Sequence, residues 1–167
     1  ATLDDLNKIG RDPAYPLNDF YVLTADIDAA ATRGWNNGAG FEPIGTSRTP
    51  FTGIFNGQGH VIRNLYVNRT GASDTYAGLF GYTGSGAEIR NLGLEGGAVT
   101  ATATGDYYAY AGGLVGYNNG TLKACYATGA VTATANYRYA YAGGLVGYND
   151  GTLTNCYATG AVTATAT

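Results

Sequence analysis

Short alternations of apolar and polar residues, punctuated by glycine, recur along most of the chain. Residues 131–135 (VTATA) alternate with period two, which predicts a β-strand. Residues 113–117 (GLVGY) form a short apolar run bounded by glycine, which also favours a strand. Asn119-Gly120 is a turn dipeptide, expected to supply positive φ angles. Because no helical periodicity follows Pro13, each unit is predicted to hold about three short strands separated by turns.

The pattern belongs to an internal repeat. Residues 111–135 (AGGLVGYNNGTLKACYATGAVTATA) return almost unchanged as residues 142–166 (AGGLVGYNDGTLTNCYATGAVTATA), with a period of 31. A degraded copy around residues 77–103 implies a three-residue insertion near 84–87 or 95–97. Earlier still, the segment IRNL at 62–65 recurs at 89–92. Residues 51–55 are therefore expected to hold the same position in their turn as residues 76–80 in the next. At least four turns of one unit are predicted.

The repeat length indicates the fold class. One unit cannot bury its own apolar face, but copies stacked at about 4.8 Å build a continuous core. The expected fold is therefore all-β, a right-handed parallel β-helix (β-solenoid) forming a single domain over residues 1–167. Residues 1–20 would form an N-terminal cap helix and loop, 21–75 the opening turns, and 76–167 the regular repeats. A β-propeller is the alternative, although its blades need about 40 residues each.

The N-terminal segment differs from the rest. Thr2 and Asp5 have capping-box spacing before an amphipathic run that ends at Ile9, so a short helix is predicted there. Such a helix would cap the first core layer. The alternation over residues 20–28 predicts the first strand, and Trp35 is expected to plug the first turn.

Composition narrows the possible functions. The 167 residues include 27 Gly and 15 Tyr but only 13% charged residues, with a net charge of −3. This profile suits tightly stacked β-structure and argues against disorder. Without a basic run, no nucleic-acid partner is expected. No apolar stretch is long enough for a membrane span. No signal peptide is visible, which is expected if the chain begins at a processed mature end or has been trimmed.

Few residues suggest chemistry. Asp26 and Asp28 could be a catalytic or Ca²⁺-binding pair, but solvated acids or acceptors for turn amides are favoured. His60 is the single histidine and cannot form a zinc-protease motif. No nucleophile elbow, P-loop or dinucleotide fingerprint occurs in context. The sequence predicts no enzyme, no cofactor and no metal site.

The two cysteines, Cys125 and Cys156, lie one repeat apart, and Leu65 and Leu92 are expected to hold the same position in earlier turns. A position that takes Leu or Cys favours a buried column of free thiols. A disulfide stays open as an alternative, because stacked Cα atoms are close enough to be bridged.

Stacking the repeats also aligns outward polar residues. Two threonine columns are predicted, consisting of Thr100, Thr132 and Thr163, and of Thr102, Thr134 and Thr165. Tyrosine columns are predicted at Tyr76, Tyr110 and Tyr141, with Tyr108 and Tyr139 beside them, and at Tyr82, Tyr117 and Tyr148. The columns are explained by strand preference and cross-strand stacking. They would also suit an ice-binding threonine face or an aromatic surface for glycans or partner subunits.

A family resemblance rests on particular motifs: YVLTADID (21–28), PIG (43–45), PFTGIFNGQGHVIRNL (50–65), NCYATG (155–160) and three Gly-Leu-apolar-Gly motifs. The three are Gly78-Leu79-Phe80-Gly81, Gly113-Leu114-Val115-Gly116 and Gly144-Leu145-Val146-Gly147. Together they resemble bacterial surface proteins that carry GLUG repeats. The resemblance implies an extracellular β-helix of the kind found in adhesins, haemagglutinin-like proteins and non-catalytic parts of secreted peptidases. It supplies no catalytic residues.

The two ends lead to a further expectation. The N-terminal turn has its helix, whereas the sequence stops within a regular repeat, leaving an uncapped edge at Val162, Thr163, Ala164 and Thr165. Unpaired strand edges are templates for another chain. The expected partner is a further copy stacked end to end into a surface filament. Neighbouring repeats of a larger protein are the alternative.

Overall fold

A computed structural model describes residues 1–167. The chain forms a β-solenoid, a stack of coils whose strands pair in parallel, preceded by a short helix, α1 (Leu3–Lys8). The strands of the first turns are β1 (Phe20–Val22), β2 (Ile27–Asp28), β3 (Ile54–Asn56), β4 (Val61–Arg63) and β5 (Tyr66–Gly71). Those of the next turns are β6 (Thr75–Ala77), β7 (Phe80–Thr83), β8 (Glu88–Glu95), β9 (Ala98–Ala103), β10 (Ala109–Gly112), β11 (Val115–Asn118), β12 (Thr121–Ala127) and β13 (Ala130–Ala135). The last turn holds β14 (Ala140–Gly143), β15 (Val146–Asn149), β16 (Thr152–Thr154), β17 (Tyr157–Ala158) and β18 (Val162–Ala166).

Every pairing between these strands is parallel, which confirms the predicted β-solenoid. The sheets run in the orders β1-β3-β8-β12-β16, β6-β10-β14, β7-β11-β15 and β5-β9-β13-β18. A complete turn therefore has four strands, and the expectation of three was wrong. The additional strand is β10, because the chain turns a corner at Gly113-Leu114 and separates Ala109–Gly112 from Val115–Asn118.

The cross-section of a turn has two parts, which we call the body and the arm. The body lies between the sheets of β7, β11 and β15 and of β8, β12 and β16, and its core is made of large side chains such as Phe80, Leu114 and Leu122. The arm consists of the sheets of β6, β10 and β14 and of β5, β9, β13 and β18, which face each other mainly through alanine.

Body and arm join at a narrow neck, where the chain enters and leaves the arm. A Cβ atom on Gly113 would lie 2.9 Å from the Cβ of Ala127 and 2.3 Å from the carbonyl oxygen of Gly144. The second glycine of the same Gly-Leu-Val-Gly motif, Gly116, is equally constrained, since its Cβ would lie 2.8 Å from the oxygen of Gly81. The motif is glycine-rich because three backbones meet at this corner, where side chains do not fit.

The turn after β11 is built differently from the prediction. Neither Asn119 nor Gly120 has a positive φ angle. Instead, Asn118 is fully buried and its side-chain amide bonds both the N–H (3.1 Å) and the C=O (3.2 Å) of Gly120. The same amide accepts a hydrogen bond from the Thr83 hydroxyl below (2.6 Å) and donates one to Asn149 above (2.8 Å). The turn geometry is therefore set by an internal polar ladder and not by backbone strain.

The register of the opening turns also corrects the sequence alignment. Ile89 stacks on Phe55, while Ile62 stacks on Leu94, so the two IRNL segments are not equivalent. Similarly, Phe51 lies next to Thr83 and not in the position of residue 76. The register follows because Gly57–His60 forms a bend between β3 and β4, and both strands pair with the single long strand β8.

The predicted insertion is divided between both expected places. The offset to the next turn is 35 at Thr83 and Asn118, 33 at Glu88 and Thr121, and 32 at Ala98 and Ala130. Two additional residues thus lie in 84–87 and one in 95–97.

The thiol column is only partly as expected. Cys125 pairs in register with Leu92 and is 1% exposed, but Leu65 lies under Gly97, where its carbonyl accepts the N–H of Ala98. Both cysteines are free, and Cys156 is half-buried. Burial raises the pKa of the Cys125 thiol to about 12, so it behaves as a core side chain.

The N-terminal helix is confirmed, with Thr2 and Asp5 forming a capping box. Leu6 and Ile9 are buried in the same apolar cluster as Phe55, so α1 covers the first turn. The predicted strand over 20–28 was wrong in its middle, where the chain bends between β1 and β2.

Trp35 packs half-buried against Phe41, with ring centroids 6.4 Å apart. Among the polar side chains of residues 29–40, Thr32 is the one that is fully buried. Its hydroxyl donates to the carbonyl of Ala29 and accepts the N–H of Tyr66. Thr32 thus ties the first turn to β5.

Candidate binding surface

The two N-terminal aspartates serve the backbone. Asp26 accepts hydrogen bonds from the N–H of Val61 (3.0 Å), from His60 Nδ1 (3.1 Å) and from Arg63 (2.8 Å). The Arg63 hydrogen bond, with those from Val61 and His60, lowers the pKa of Asp26 to about 2. Asp28 accepts the N–H of Ala30 at 3.0 Å. Both carboxylates are therefore turn acceptors, as the favoured interpretation held, and no group of three metal-ligating side chains is found in the chain.

The predicted threonine columns lie on the outer face of the arm, across β9, β13 and β18. Thr132 pairs in register with Thr100 and Thr163, and Thr134 pairs with Thr102 and Thr165. The lowest strand continues both columns with Asn68 and Thr70. The side chains of β9 and β13 are half-buried by their neighbours, and those of β18 are exposed. The structure thus brings these residues into two regular rows, while their binding role stays a prediction.

The tyrosine columns lie on the other side of the arm, at the corner with the body. In the first ladder, Tyr110 stacks between Tyr76 (centroids 4.9 Å apart) and Tyr141 (5.1 Å), with interplanar angles of 4° and 5°. In the second ladder, Tyr117 stacks between Tyr82 (4.5 Å) and Tyr148 (5.0 Å). Both ladders join successive turns ring by ring.

The two ladders also contact each other edge to face. The Tyr110 and Tyr117 rings, for example, are 5.7 Å apart at 75°. Both faces of the middle rings, Tyr110 and Tyr117, are consequently covered by other rings, which stabilises the stack and leaves them little face for a ligand. Burial raises the pKa of Tyr110, and a hydrogen bond from its hydroxyl to Asp150 raises that of Tyr117, so both phenols stay neutral.

A third, looser column continues toward the end of the arm. Tyr108 and Tyr139 have centroids 6.1 Å apart, and the guanidinium of Arg138 lies 5.6 Å from the Tyr108 ring centroid. Arg138 also binds Asp106 in the turn below through Nε (2.5 Å) and Nη2 (3.0 Å). The Asp106 hydrogen bond raises the pKa of Arg138 further. This pair ties two successive loops together.

These loops, residues 104–108 and 136–139, are here called the tip loops. They connect β9 to β10 and β13 to β14 at the far end of the arm. Tyr107 and Tyr137 lie in them, and neither ring contacts another aromatic ring. Tyr107 is 41% exposed and Tyr137 is 75% exposed. The tip loops therefore present the aromatic side chains that the ladders do not use.

Sequence reasoning predicted the ladders but missed Tyr107, Tyr137 and the Asp106–Arg138 pair. A signal was present, since residues 111–135 and 142–166 are nearly identical while 104–108 and 136–139 differ in length and sequence. In repeat proteins, such variation marks loops on one face, often the binding face. The four-strand turn was needed to show that both segments lie at one end of the arm.

Comparison with known proteins identifies the repeat. The GLUG motif matches residues 107–132 and 139–163, so the chain carries two GLUG repeats and the resemblance is confirmed. Each match spans the Gly-Leu-Val-Gly corner and the body strands, and it ends within the strand that returns into the arm.

Two relatives share most of the chain. Halomucin of Haloquadratum walsbyi is 42% identical over 120 residues, which are 69% of this chain and 1% of Halomucin. A candidate Gly-rich membrane protein of Evansella cellulosilytica is 36% identical over 123 residues, which are 73% of this chain and 13% of that protein. The chain thus spans only a small part of the relatives it matches.

A solved structure shares the fold. The crystal structure of a candidate immunoglobulin A1 protease from Bacteroides ovatus superposes with a TM-score of 0.59 and 21% identity, covering 96% of this chain and 56% of that one. The likeness shows the architecture alone. Neither α1 nor the two 3-10 helices, Ala30–Gly34 and Asn36–Gly38, combine the length and apolar character that a membrane crossing requires.

Proposed function

We propose that this chain, as a carrier of GLUG repeats, is a non-enzymatic structural and adhesive β-solenoid of an extracellular or cell-surface protein. The body and the ladders would serve as a rigid scaffold, and the tip loops would make contact with the partner. The observation that carries this proposal is the division of the tyrosines. Those of the ladders are packed against each other, while Tyr107 and Tyr137 are exposed on loops held by an ion pair.

Two further features support a surface location and a scaffold role. The relatives are named Halomucin and a Gly-rich membrane protein, and in both the shared region is a small part of a much longer protein. The charged side chains of the N-terminal third mostly engage one another or backbone groups, as Asp26 does with Arg63 and Val61. Such pairing suits turn architecture better than acid–base chemistry, which needs a group with a pKa near the working pH.

Bead adhesion tests the proposal. The purified chain is coupled to latex beads, which are passed under flow over surfaces coated with cellulose, mucin or albumin. Retention is expected on a glycoconjugate surface and should be lost in the double variant Tyr107→Ala/Tyr137→Ala. Equal retention of that variant would overturn the adhesive role. Turnover of peptide or polysaccharide substrates, abolished by Asp26→Asn, would overturn the non-enzymatic assignment.

A second candidate is ice binding by the threonine rows, as an alternative role for the same scaffold. The observation in its favour is the regular register of Thr100, Thr132 and Thr163 on one face of the arm. Thermal hysteresis of the purified chain measures this activity directly. Thr134→Lys should abolish the thermal hysteresis. If the variant keeps the wild-type value, the threonine rows have only a structural role.

End-to-end stacking into a filament is a third candidate. It is supported by the apolar side chains of Leu153, Tyr157 and Val162, which are exposed in the last turn. Since α1 covers the first turn, a head-to-tail contact requires that α1 move aside or that the partner pair beside it. Val162→Lys should prevent assembly and preserve the fold, as judged by electron microscopy and circular dichroism. A wild-type chain that stays monomeric at high concentration would exclude stacking.

A further inference from the structure

We propose that the tip loops form a binding site for neutral glycans, centred on Tyr107, Tyr137 and the Asp106–Arg138 pair. This inference rests on the proposed adhesive function and names the class of its partner. It assigns no role in ligand binding to the tyrosine ladders, whose rings already cover one another.

The first argument is the available ring surface. Sugar rings present apolar C–H faces, which pack against an aromatic face that is open to solvent. Tyr110 cannot offer one, because it is stacked at about 5 Å on Tyr76 on one side and on Tyr141 on the other. Tyr137, by contrast, is 75% exposed and free of ring contacts. An amphipathic ring with few rotatable bonds also binds at low cost in side-chain entropy.

The second argument is polar complementarity. Asp106 and Arg138 satisfy each other through two hydrogen bonds, which use two of the five guanidinium N–H groups. The remaining N–H groups and the carboxylate lone pairs can donate to and accept from sugar hydroxyls, which require both functions. A site with convergent donors and acceptors next to an aromatic face is suited to a hydroxyl-rich ligand.

The third argument is charge. The arm end holds Asp74 and Asp106 against Arg138, and Asp74 accepts the N–H of Tyr108 at 3.0 Å. Since Arg138 is already paired with a carboxylate, no unpaired positive charge is available for a sulfate, uronate or phosphate. The local balance of one cation and two anions therefore favours a neutral glycan over an anionic one.

The fourth argument is preorganisation. The tip loops are anchored on strands β9, β10, β13 and β14, and Arg138 connects the two loops through Asp106 below it and the Tyr108 ring 5.6 Å away. A ligand would therefore find the two loops and the Asp106–Arg138 pair already in place, which lowers the entropic cost of binding.

The experiment is isothermal titration of the purified chain with cellohexaose and with N-acetylchitohexaose, and with alginate as an anionic comparator. Binding of at least one neutral oligosaccharide is expected, weakened about tenfold or more in Tyr137→Ala and in Asp106→Asn. Tyr157→Ala is the matched control, because Tyr157 is 57% exposed but lies on the body. Circular dichroism of each variant confirms folding.

The outcomes separate the two proposals. Binding of alginate alone, or neutral binding that Tyr137→Ala leaves unchanged, would overturn the glycan site. If neither neutral oligosaccharide binds or inhibits bead adhesion while that adhesion still requires Tyr107 and Tyr137, the glycan site is also overturned. In that case the adhesive function stands with a protein partner.

Discussion

The body and the arm of each turn solve the same packing problem with opposite side chains. In the body, Phe80 is fully buried, with its ring 4.9 Å from that of Phe51 and 5.5 Å from that of Phe55. In the arm, Ala111 and Ala133 are equally buried, and Cα atoms of β10 and β13 approach within 8 Å. Ordinary stacked sheets are about 10 Å apart.

The difference shows how one repeat can be wide at one end and thin at the other. Large side chains hold the body sheets apart and bury most of the apolar area. Alanine lets the arm sheets come close together, so the arm is stabilised by the hydrogen bonds between its strands and by dispersion contacts. The outer surface of the arm then carries the tyrosines and threonines. Loss of volume should therefore damage the body, and gain of volume should damage the arm.

The largest effect is expected from Phe80→Ala. Truncation removes a fully buried ring and leaves a cavity next to Phe51 and Phe55, which should lower the free energy of unfolding by about 3–5 kcal/mol. Urea denaturation followed by circular dichroism measures the change. Phe20→Ala is the control, because Phe20 is 52% exposed and should change stability little. A loss below that of typical surface substitutions would contradict the body's dependence on volume.

Ala111→Leu reverses the experiment in the arm. The added isobutyl group enters a space bounded by the opposing alanine sheet, and overpacking of this kind should cost about 1–3 kcal/mol. The same denaturation measurement applies. Ala130→Leu is the matched control, since Ala130 is exposed at the start of β13. If both substitutions were equally tolerated, the arm would not be closely packed.

Tyr110→Leu tests the ladders. Tyr110 stacks on Tyr76 and Tyr141 and meets Tyr117 edge to face. Loss of these contacts should destabilise the protein by about 1–2 kcal/mol, given about 0.5–1.5 kcal/mol for an aromatic pair. Thermal unfolding of Tyr110→Leu is compared with that of Tyr137→Leu, which has no ring partner and should match the wild type. Equal stability of all three proteins would refute the structural role of the ladders.

The smallest effect is a stabilisation at the bend of the body strands. Ala124 has φ = 51° within β12, where the stacked turns have Asn91 (51°) and Asn155 (53°). Asn tolerates this left-handed conformation better than Ala, so Ala124→Asn should add up to about 1 kcal/mol. The reciprocal variant Asn155→Ala should lose a similar amount. A lower melting temperature for Ala124→Asn would count against this explanation.

Several elements could be predicted from the sequence because their signals are local or periodic. The capping box of Thr2 and Asp5 fixes α1 through residues three apart. The 31-residue period fixes the register of the last two turns, and with it the ladders through Tyr110 and Tyr117, because parallel stacking places equivalent residues above one another.

The opening turns could not be aligned in the same way. The two IRNL segments are identical in sequence and suggest one alignment, but in the structure β3 and β4 both pair with β8, which gives a different alignment. The hydrogen-bonded row of Thr83, Asn118 and Asn149, of which Thr83 and Asn118 are buried, was missed for a related reason. An Asn before Asn-Gly indicates an exposed turn until the turns above and below supply hydrogen-bond partners.

The sequence by itself determined that this chain is a β-solenoid with a helical cap and aligned rows of Thr and Tyr. Repetition fixes the stack and its rows, and the local capping box of Thr2 and Asp5 fixes the helix. Only the tertiary structure decided that each turn bends into a thick body and a thin arm. The bend depends on three backbones meeting at Gly113 and Gly116, a contact between residues of different turns that no single repeat contains. It also decided that the ladder rings cover one another while Tyr107 and Tyr137 stay open at the tip, because ring exposure depends on what lies above, below and beside each ring in space.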